Sequence, residues 1–182
     1  MLKRVLFAGI TLLVLGPWAA AAERELTLDP GGSEISFTLG ATMHTVHGTV
    51  RLARGTVRFD AVPGPASGEL VAEAATAETG NEKRDKKMHK DVLKSSAHSE
   101  VVLSVQRLDG ELPASGAGNL TVHGKLRLLG KDHTVQLPVE VQVDGSRVQV
   151  KAEFEVPYVE WGLKDPSKFV MRVEKHVTVT VE

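Results

Sequence analysis

An all-β barrel or sandwich of roughly eight to ten strands with one inserted helix is the fold class this sequence predicts. Three observations carry it. Apolar residues recur at every second position through most of the chain, the spacing that sets side chains on one face of a strand. A single stretch, residues 81–94, departs from that rhythm and takes helical spacing. Aromatic residues make up only 4% of the chain, so the apolar faces are built mainly of Val, Leu and Ala.

Composition removes several function classes. Lys and Arg number 22 against 23 Asp and Glu, a formal net charge of -1, so no global field draws in nucleic acid or an anionic membrane surface. Cysteine is absent, which excludes disulfides, thiolate metal sites, thiol nucleophiles and cysteine-linked lipids together. At 42% hydrophobic residues the chain has enough apolar side chain for a packed core.

Residues 1–22 read as an export signal: Lys3 and Arg4 start it, Val5 to Leu15 form an apolar run, and Ala20 and Ala22 supply the small-residue cleavage pattern. The run is shorter than the ~20 residues that span a bilayer. Cleavage before Glu23 removes two cations from a net charge of -1 and leaves the domain 23–182 at -3, with no stable membrane insertion expected.

The strands follow in order. Ile35, Phe37 and Leu39 alternate with Glu34, Ser36 and Thr38. Val50 and Leu52, then Val57 and Phe59, flank Arg54-Gly55, a pattern that predicts a hairpin turn there. Leu70, Ala72 and Ala74 come after the loop Pro63-Gly64-Pro65, and Val101, Leu103 and Val105 after the helical stretch. Leu120 and Val122 lead across Gly124 to Leu126 and Leu128, and Val135, Leu137, Val139, Val141 and Val143 reach the turn Asp144-Gly145. Val148, Val150, Ala152, Phe154 and Val156 return from it. Phe169, Met171 and Val173 open the last strand and Val177, Val179 and Val181 close it, one register apart, which predicts a bulge at Glu174 to His176. In the helical stretch Met88, Val92 and Leu93 form a narrow apolar stripe, and Thr79 with Glu82 three places on resembles a capping box.

Strict alternation gives a barrel an inward face that is either close-packed or hollow around a guest, and periodicity leaves both open. No motif for catalysis or metal binding stands out in the chain. His44 and His47 form an H-x-x-H spacing, but positions three apart on a strand face opposite sides and no third ligand supports them. His89 has no histidine one helical turn away, and His98, His123, His133 and His176 stand singly. No G-x-S-x-G elbow and no phosphate loop occurs, so neither nucleophilic catalysis nor nucleotide binding has a motif. Lys83, Arg84, Lys86, Lys87 and Lys90 make the helix strongly basic, as a solvated face or as an anion-binding rim at a barrel mouth.

The order Leu28-Asp29-Pro30, Ser33-x-Ile35-x-Phe37, Ala41-Thr42-Met43-His44-Thr45-Val46-His47-Gly48 and Thr79-Gly80-Asn81 with Arg84-Asp85 and Met88-His89 resembles the YceI-like domain, the lipid- and polyisoprenoid-binding family. Gly118-Asn119-Leu120-Thr121-Val122-His123-Gly124 and the segment from Tyr158 to Ser167 extend the resemblance over residues 25–182. It implies an antiparallel, lipocalin-like β-barrel of about eight strands in an exported or periplasmic protein, its apolar lumen holding a long isoprenoid or other amphiphilic lipid. It implies no catalytic residue, no metal and no cofactor, and no nucleic acid as partner; a homodimer is compatible with it. The chain departs from the family pattern after the helix, with Ser99 and Leu103 where proline and phenylalanine are frequent, which alters the depth or shape of the cavity at that level.

On this reading the pocket is lined by Phe37, Leu39, Val50, Leu52, Val57, Phe59, Leu70, Met88, Val92, Leu93, Leu103, Val122, Leu126, Phe154 and Met171. His44, His47, Arg84, His89, Trp161 and Lys164 are the residues expected at its mouth, facing a head group. Two other readings compete with a lipid carrier: a scaffold module of a membrane redox or stress system, favoured by a solid lumen, and a hydrolase acting on a small hydrophobic substrate.

Overall fold

The structure, a computed structural model, describes residues 23–42, 44–167 and 172–182. The expected export signal, Met43, Phe169 and Met171 lie outside the described residues. Among the described residues ten antiparallel strands form one sheet: β1 (Arg24–Thr27), β2 (Ile35–Leu39), β3 (Val46–Val50), β4 (Leu52–Phe59), β5 (Gly64–Glu73), β6 (Glu100–Gly110), β7 (Gly116–Leu128), β8 (Lys131–Asp144), β9 (Arg147–Val156) and β10 (Val177–Val181). Their order is β1-β4-β5-β6-β7-β8-β9-β10-β2-β3.

That order forces curvature. β3 and β4 lie towards opposite ends of it, yet only Arg51 separates them in the chain, so the sheet must bend round until its ends meet. The join is visible in the hydrogen bonds: Thr49 and Glu78 exchange N–H···O bonds of 2.9 Å in both directions, and the Glu73 N–H donates to the Arg51 carbonyl at 3.0 Å. With β3 and β4 taken as one kinked strand and β1 set aside, eight strands make the ring, as the sequence predicts.

Segments 50–59 and 118–128 each pass through a glycine that lies within a strand. Arg54-Gly55 is not a hairpin turn, because β4 runs unbroken from Leu52 to Phe59 with a bulge between Leu52 and Arg54. Gly55 instead gives room to Leu28, whose side chain a Cβ there would meet at 3.2 Å. Gly124 sits in β7 beside the bulge between Val105 and Arg107 of β6, where a side chain would run into the Ser104 carbonyl. The predicted turn at Asp144-Gly145 is present, with Asp144 facing Arg147. Around Glu174 to His176 the ladder breaks: Thr178 faces Thr38 while Val173 faces Ala41. The short strand β1 has no counterpart in the sequence reading.

The inserted helix is α1 (Glu82–Lys87), continued by a wider π-helical stretch over Met88–Leu93 and ended by Lys94 at φ 48°. Its cap differs from the expected one. The Asn81 side chain accepts the Arg84 N–H at 3.1 Å, whereas Thr79 is engaged by Arg84 and Asp85. A capping amide one residue before the first helical turn outcompetes the hydroxyl three places before Glu82. Outside the ring, Arg51–Glu73, Arg54–Glu100 and Arg127–Asp132 pair on the solvent face. Exposed pairs of this kind contribute at most about 1 kcal/mol each.

Candidate functional site: an apolar lumen

Alternation decides what the ring encloses. Along β5 to β7 the inward residues include Leu70, Val101, Leu103 and Val122, and each is only half-buried. The same holds for Val57 on β4, Phe154 on β9 and Val179 on β10. Interlocking core side chains would be almost wholly buried. These are not, because they face a cavity of about 1960 Å³ bordered mainly by aliphatic carbon. Drug-sized ligand sites rarely exceed roughly 1,000 Å³.

Two buried clusters lie towards the ends of this space, and a third, Leu120, Val139, Val141 and Ala152, lines its β7–β9 wall. At the helical end Leu126, Leu128, Val156, Tyr158 and Leu163 pack together, joined by half-buried Val92 and Leu93 from the helix. At the other end Phe59, Val105 and Leu108 form a second cluster, with Val62 and Leu112 against it. Tyr158 anchors the helical end by donating its hydroxyl to the Glu174 carbonyl at 2.7 Å. Burial pushes its pKa from 10.0 up to about 12, with the Asp165 charge adding to the effect. An acid whose folded pKa is raised contributes stability that is complete below its unfolded value, so this part is lost as pH climbs from 10.0 to about 12. Tyr158→Phe is expected to cost about 1 kcal/mol at neutral pH for the lost hydrogen bond. It should also flatten the alkaline loss, as urea titrations at pH about 8 and about 11 would show.

Of the residues expected in the pocket, Phe37, Leu39, Val50, Leu52, Val57, Leu70, Met88, Val92, Leu93, Leu103, Val122, Leu126 and Phe154 border the cavity. Phe59 is not among the bordering residues; it is buried in the cluster just described. Met171 lies outside the described residues.

The expected mouth residues divide. His44 and Arg84 border the cavity. His47 does not: it is exposed on β3, with its Nδ1 3.1 Å from the Thr38 hydroxyl of β2. His89 points to the buried Ser95, its Nδ1 3.0 Å from the hydroxyl. Trp161 stacks on His133 with ring centroids 4.1 Å apart and planes 6° from parallel, so its ring serves to hold the 157–163 loop against β8. Lys164 reaches towards Asp91 of the helix at 3.9 Å. Of the five helix cations that could form a rim, Lys83 and Lys87 border the cavity with Arg84, whereas Lys86 and Lys90 do not. The helix carries five cations, and only its placement against the ring shows which ones face inward.

Arg84 is held firmly. Its Nε donates to the Thr79 hydroxyl at 2.6 Å and one Nη to the Thr79 carbonyl at 2.9 Å, while the Asp85 carboxylate accepts from the Thr79 N–H at 3.1 Å. Two of five guanidinium donors are thus used, and among the described residues no carboxylate lies within 4.0 Å of it. The result is a positioned cation with donors to spare at the edge of an apolar chamber. Among the described residues no three His, Asp or Glu side chains gather as metal ligands.

Comparison with known proteins agrees with this architecture. A model of the YceI-like domain matches residues 26–182. Among solved structures, Burkholderia cenocepacia BcnA superposes with a TM-score of 0.71 at 19% identity, covering 84% of this chain and 96% of its own. A polyisoprenoid binding domain from Saccharophagus degradans, implicated in plant cell wall breakdown, gives a TM-score of 0.66 at 16% identity, covering 89% and 96%. At such identities the likeness shows the fold alone. No curated protein is matched by sequence.

Proposed function

The chain belongs to the YceI-like domain family, and from that premise we propose that it is a non-enzymatic binding protein, exported to the periplasm or beyond, which carries or sequesters a long isoprenoid-like or similar amphiphile in its lumen. The observation that supports this most is the hollow interior: a cavity of about 1960 Å³ bordered by half-buried aliphatic side chains. A solid lumen would have favoured a scaffold. The Saccharophagus degradans domain of like fold, described as polyisoprenoid-binding, points the same way. For export, the leader-like residues 1–22 are the support, and no helix among the described residues is long and apolar enough to cross a membrane.

The energetics suffice without a specific polar contact. Each buried methylene contributes about 0.8 kcal/mol, so a chain of about fifteen carbons offers roughly 12 kcal/mol gross. Ordering that chain and losing translational freedom subtract several kcal/mol or more, leaving micromolar or tighter binding. Solvent extraction of the purified protein followed by mass spectrometry should recover a long-chain lipid, and delipidated protein should take up a fluorescent one. Repeated absence of both would overturn the assignment.

Head-group preference would then rest on the basic rim. Arg84→Ala is expected to weaken a polyprenyl diphosphate about tenfold, the loss of one charge-assisted hydrogen bond, and the matching polyprenol less than twofold. Equal losses for the two ligands, measured by competition with the same fluorescent lipid, would take Arg84 out of that role.

A further inference from the structure

The wall of the barrel is incomplete on one side. β10 pairs with β9 only from Ala152 to Val156, and its partner β2 begins at Ile35. Beyond that level, Arg147 to Lys151 of β9 have β8 on one edge and, among the described residues, no strand on the other. Among the described residues β1 pairs with β4 alone, and none pairs with its second edge. Among the described residues, two strand edges without a partner therefore flank the same stretch of the ring, and they are not paired with each other.

The cavity passes between them. On β9, Val148, Val150 and Ala152 point inward, so Gln149 and Lys151 point out, yet all five border the same cavity. On β1 and the residues after it, Leu26 and Leu28 alternate with Glu25, Thr27 and Asp29, and again both sets border it. A void that touches both faces of a strand must run round one of its edges. Ser146 and Arg147 at the hairpin tip and the outward Glu140 and Gln142 of β8 border the cavity too, so the void opens along the free edge of β9 from Lys151 down to the tip. At the helical end the cavity also reaches His44, Lys83, Arg84 and Lys87, but there Leu126, Tyr158 and Leu163 pack with the helix, as Phe59 and Leu108 pack at the other end, whereas among the described residues no strand crosses the slot.

We propose that this lateral slot between β1 and β9 is the passage by which the ligand enters and leaves, so that the barrel loads through its wall; the proposal rests on the lumen being the lipid site. The slot is five residues long on the β9 side, about 16 Å at roughly 3.3 Å per residue. Its borders suit an amphiphile. The free backbone N–H and C=O groups of two strand edges, with Thr27 and Gln149 beside them, can solvate a polar head in transit. The tail follows along Leu26, Leu28, Val148 and Val150 into the lumen. A long chain admitted sideways need not thread end-on past the packed clusters.

The chain has no cysteine, so introduced thiols are its only ones. Thr27→Cys with Gln149→Cys, bridged by a bis-maleimide carrying a reducible disulfide, closes the slot without touching the deep lumen. With a dansyl-labelled polyprenol in stopped flow, uptake and release are both expected to slow at least tenfold on bridging, with the equilibrium Kd unchanged within about twofold, and to recover on reduction. As an independent obstruction, biotin-maleimide on the single variant Gln149→Cys followed by streptavidin should slow exchange likewise, whereas the same treatment of Lys86→Cys, an exposed helix residue that does not border the cavity, should not. Unchanged rates after either block at the slot, or slowing only by the block at Lys86, would overturn the proposal. Failure of the unblocked variants and the parent protein alike to take up the probe would instead remove the lipid-binding reading, and this proposal with it.

Discussion

Replacing Leu103 with tryptophan is expected to abolish tight lipid uptake while leaving the barrel standing. Leu103 lies in β6 opposite Leu70 of β5 and Leu126 of β7, and both Leu70 and Leu103 are half-buried side chains facing the cavity. An indole at that position extends into vacant space, so the usual penalty of overfilling a packed core does not arise. A ligand chain loses what the indole occupies. Displacing about four methylenes forfeits roughly 3 kcal/mol, a factor of at least 100 in affinity. Titration with a fluorescent long-chain lipid, alongside a thermal melt, reads both halves: affinity should collapse while Tm holds or rises. Binding retained within threefold would place the hydrocarbon elsewhere in the molecule.

The second large effect is expected at Gly48, on stability. Gly48 lies opposite Phe37, and a side chain there would run into both the Phe37 ring and the Glu78 carbonyl. The ring of Phe37 can turn aside. The carbonyl cannot, because it accepts the Thr49 N–H at 2.9 Å in the bridge that joins the two ends of the curled sheet. Gly48→Val should therefore separate Thr49 from Glu78 and cost about 3 kcal/mol, at the upper end for overpacking. Against a typical total of ~5–15 kcal/mol that is a large share. Urea unfolding measures the loss, and amide exchange should show the Thr49 and Glu78 amides unprotected before those of β7 and β8. Adding Phe37→Ala to the variant should rescue it only in part; full rescue would place the whole cost on the Phe37 ring.

How far the sequence discloses this depends on whether a feature is local. The run from Val135 to Val143, the turn at Asp144-Gly145 and the return through Val148 to Val156 are plain in the chain because each residue's face follows from its neighbour's. Gly55 misleads because a glycine that yields space to Leu28, 27 positions earlier, looks in the sequence like one that reverses the chain. β1 escapes because four residues containing a single half-buried apolar side chain, Leu26, give too short a pattern to register. The apolar lining is largely legible, since alternation selects the inward residues. The rim is not. His47, His89, Trp161 and Lys164 find partners in Thr38, Ser95, His133 and Asp91, and only the closed fold brings those pairs together. Whether the interior is hollow is equally invisible from periodicity, because Val and Leu alternate in the same way around a void and around a core.

The half-exposed aliphatic interior also makes the unloaded protein a strained commodity in water. On the proposed function a bound lipid shields that hydrocarbon and raises folding stability by RT ln(1 + [L]/Kd), about 2.7 kcal/mol at a hundredfold excess over Kd. Proteolysis then falls first on empty molecules, so the steady-state abundance of the protein would track how much lipid the cell delivers to it.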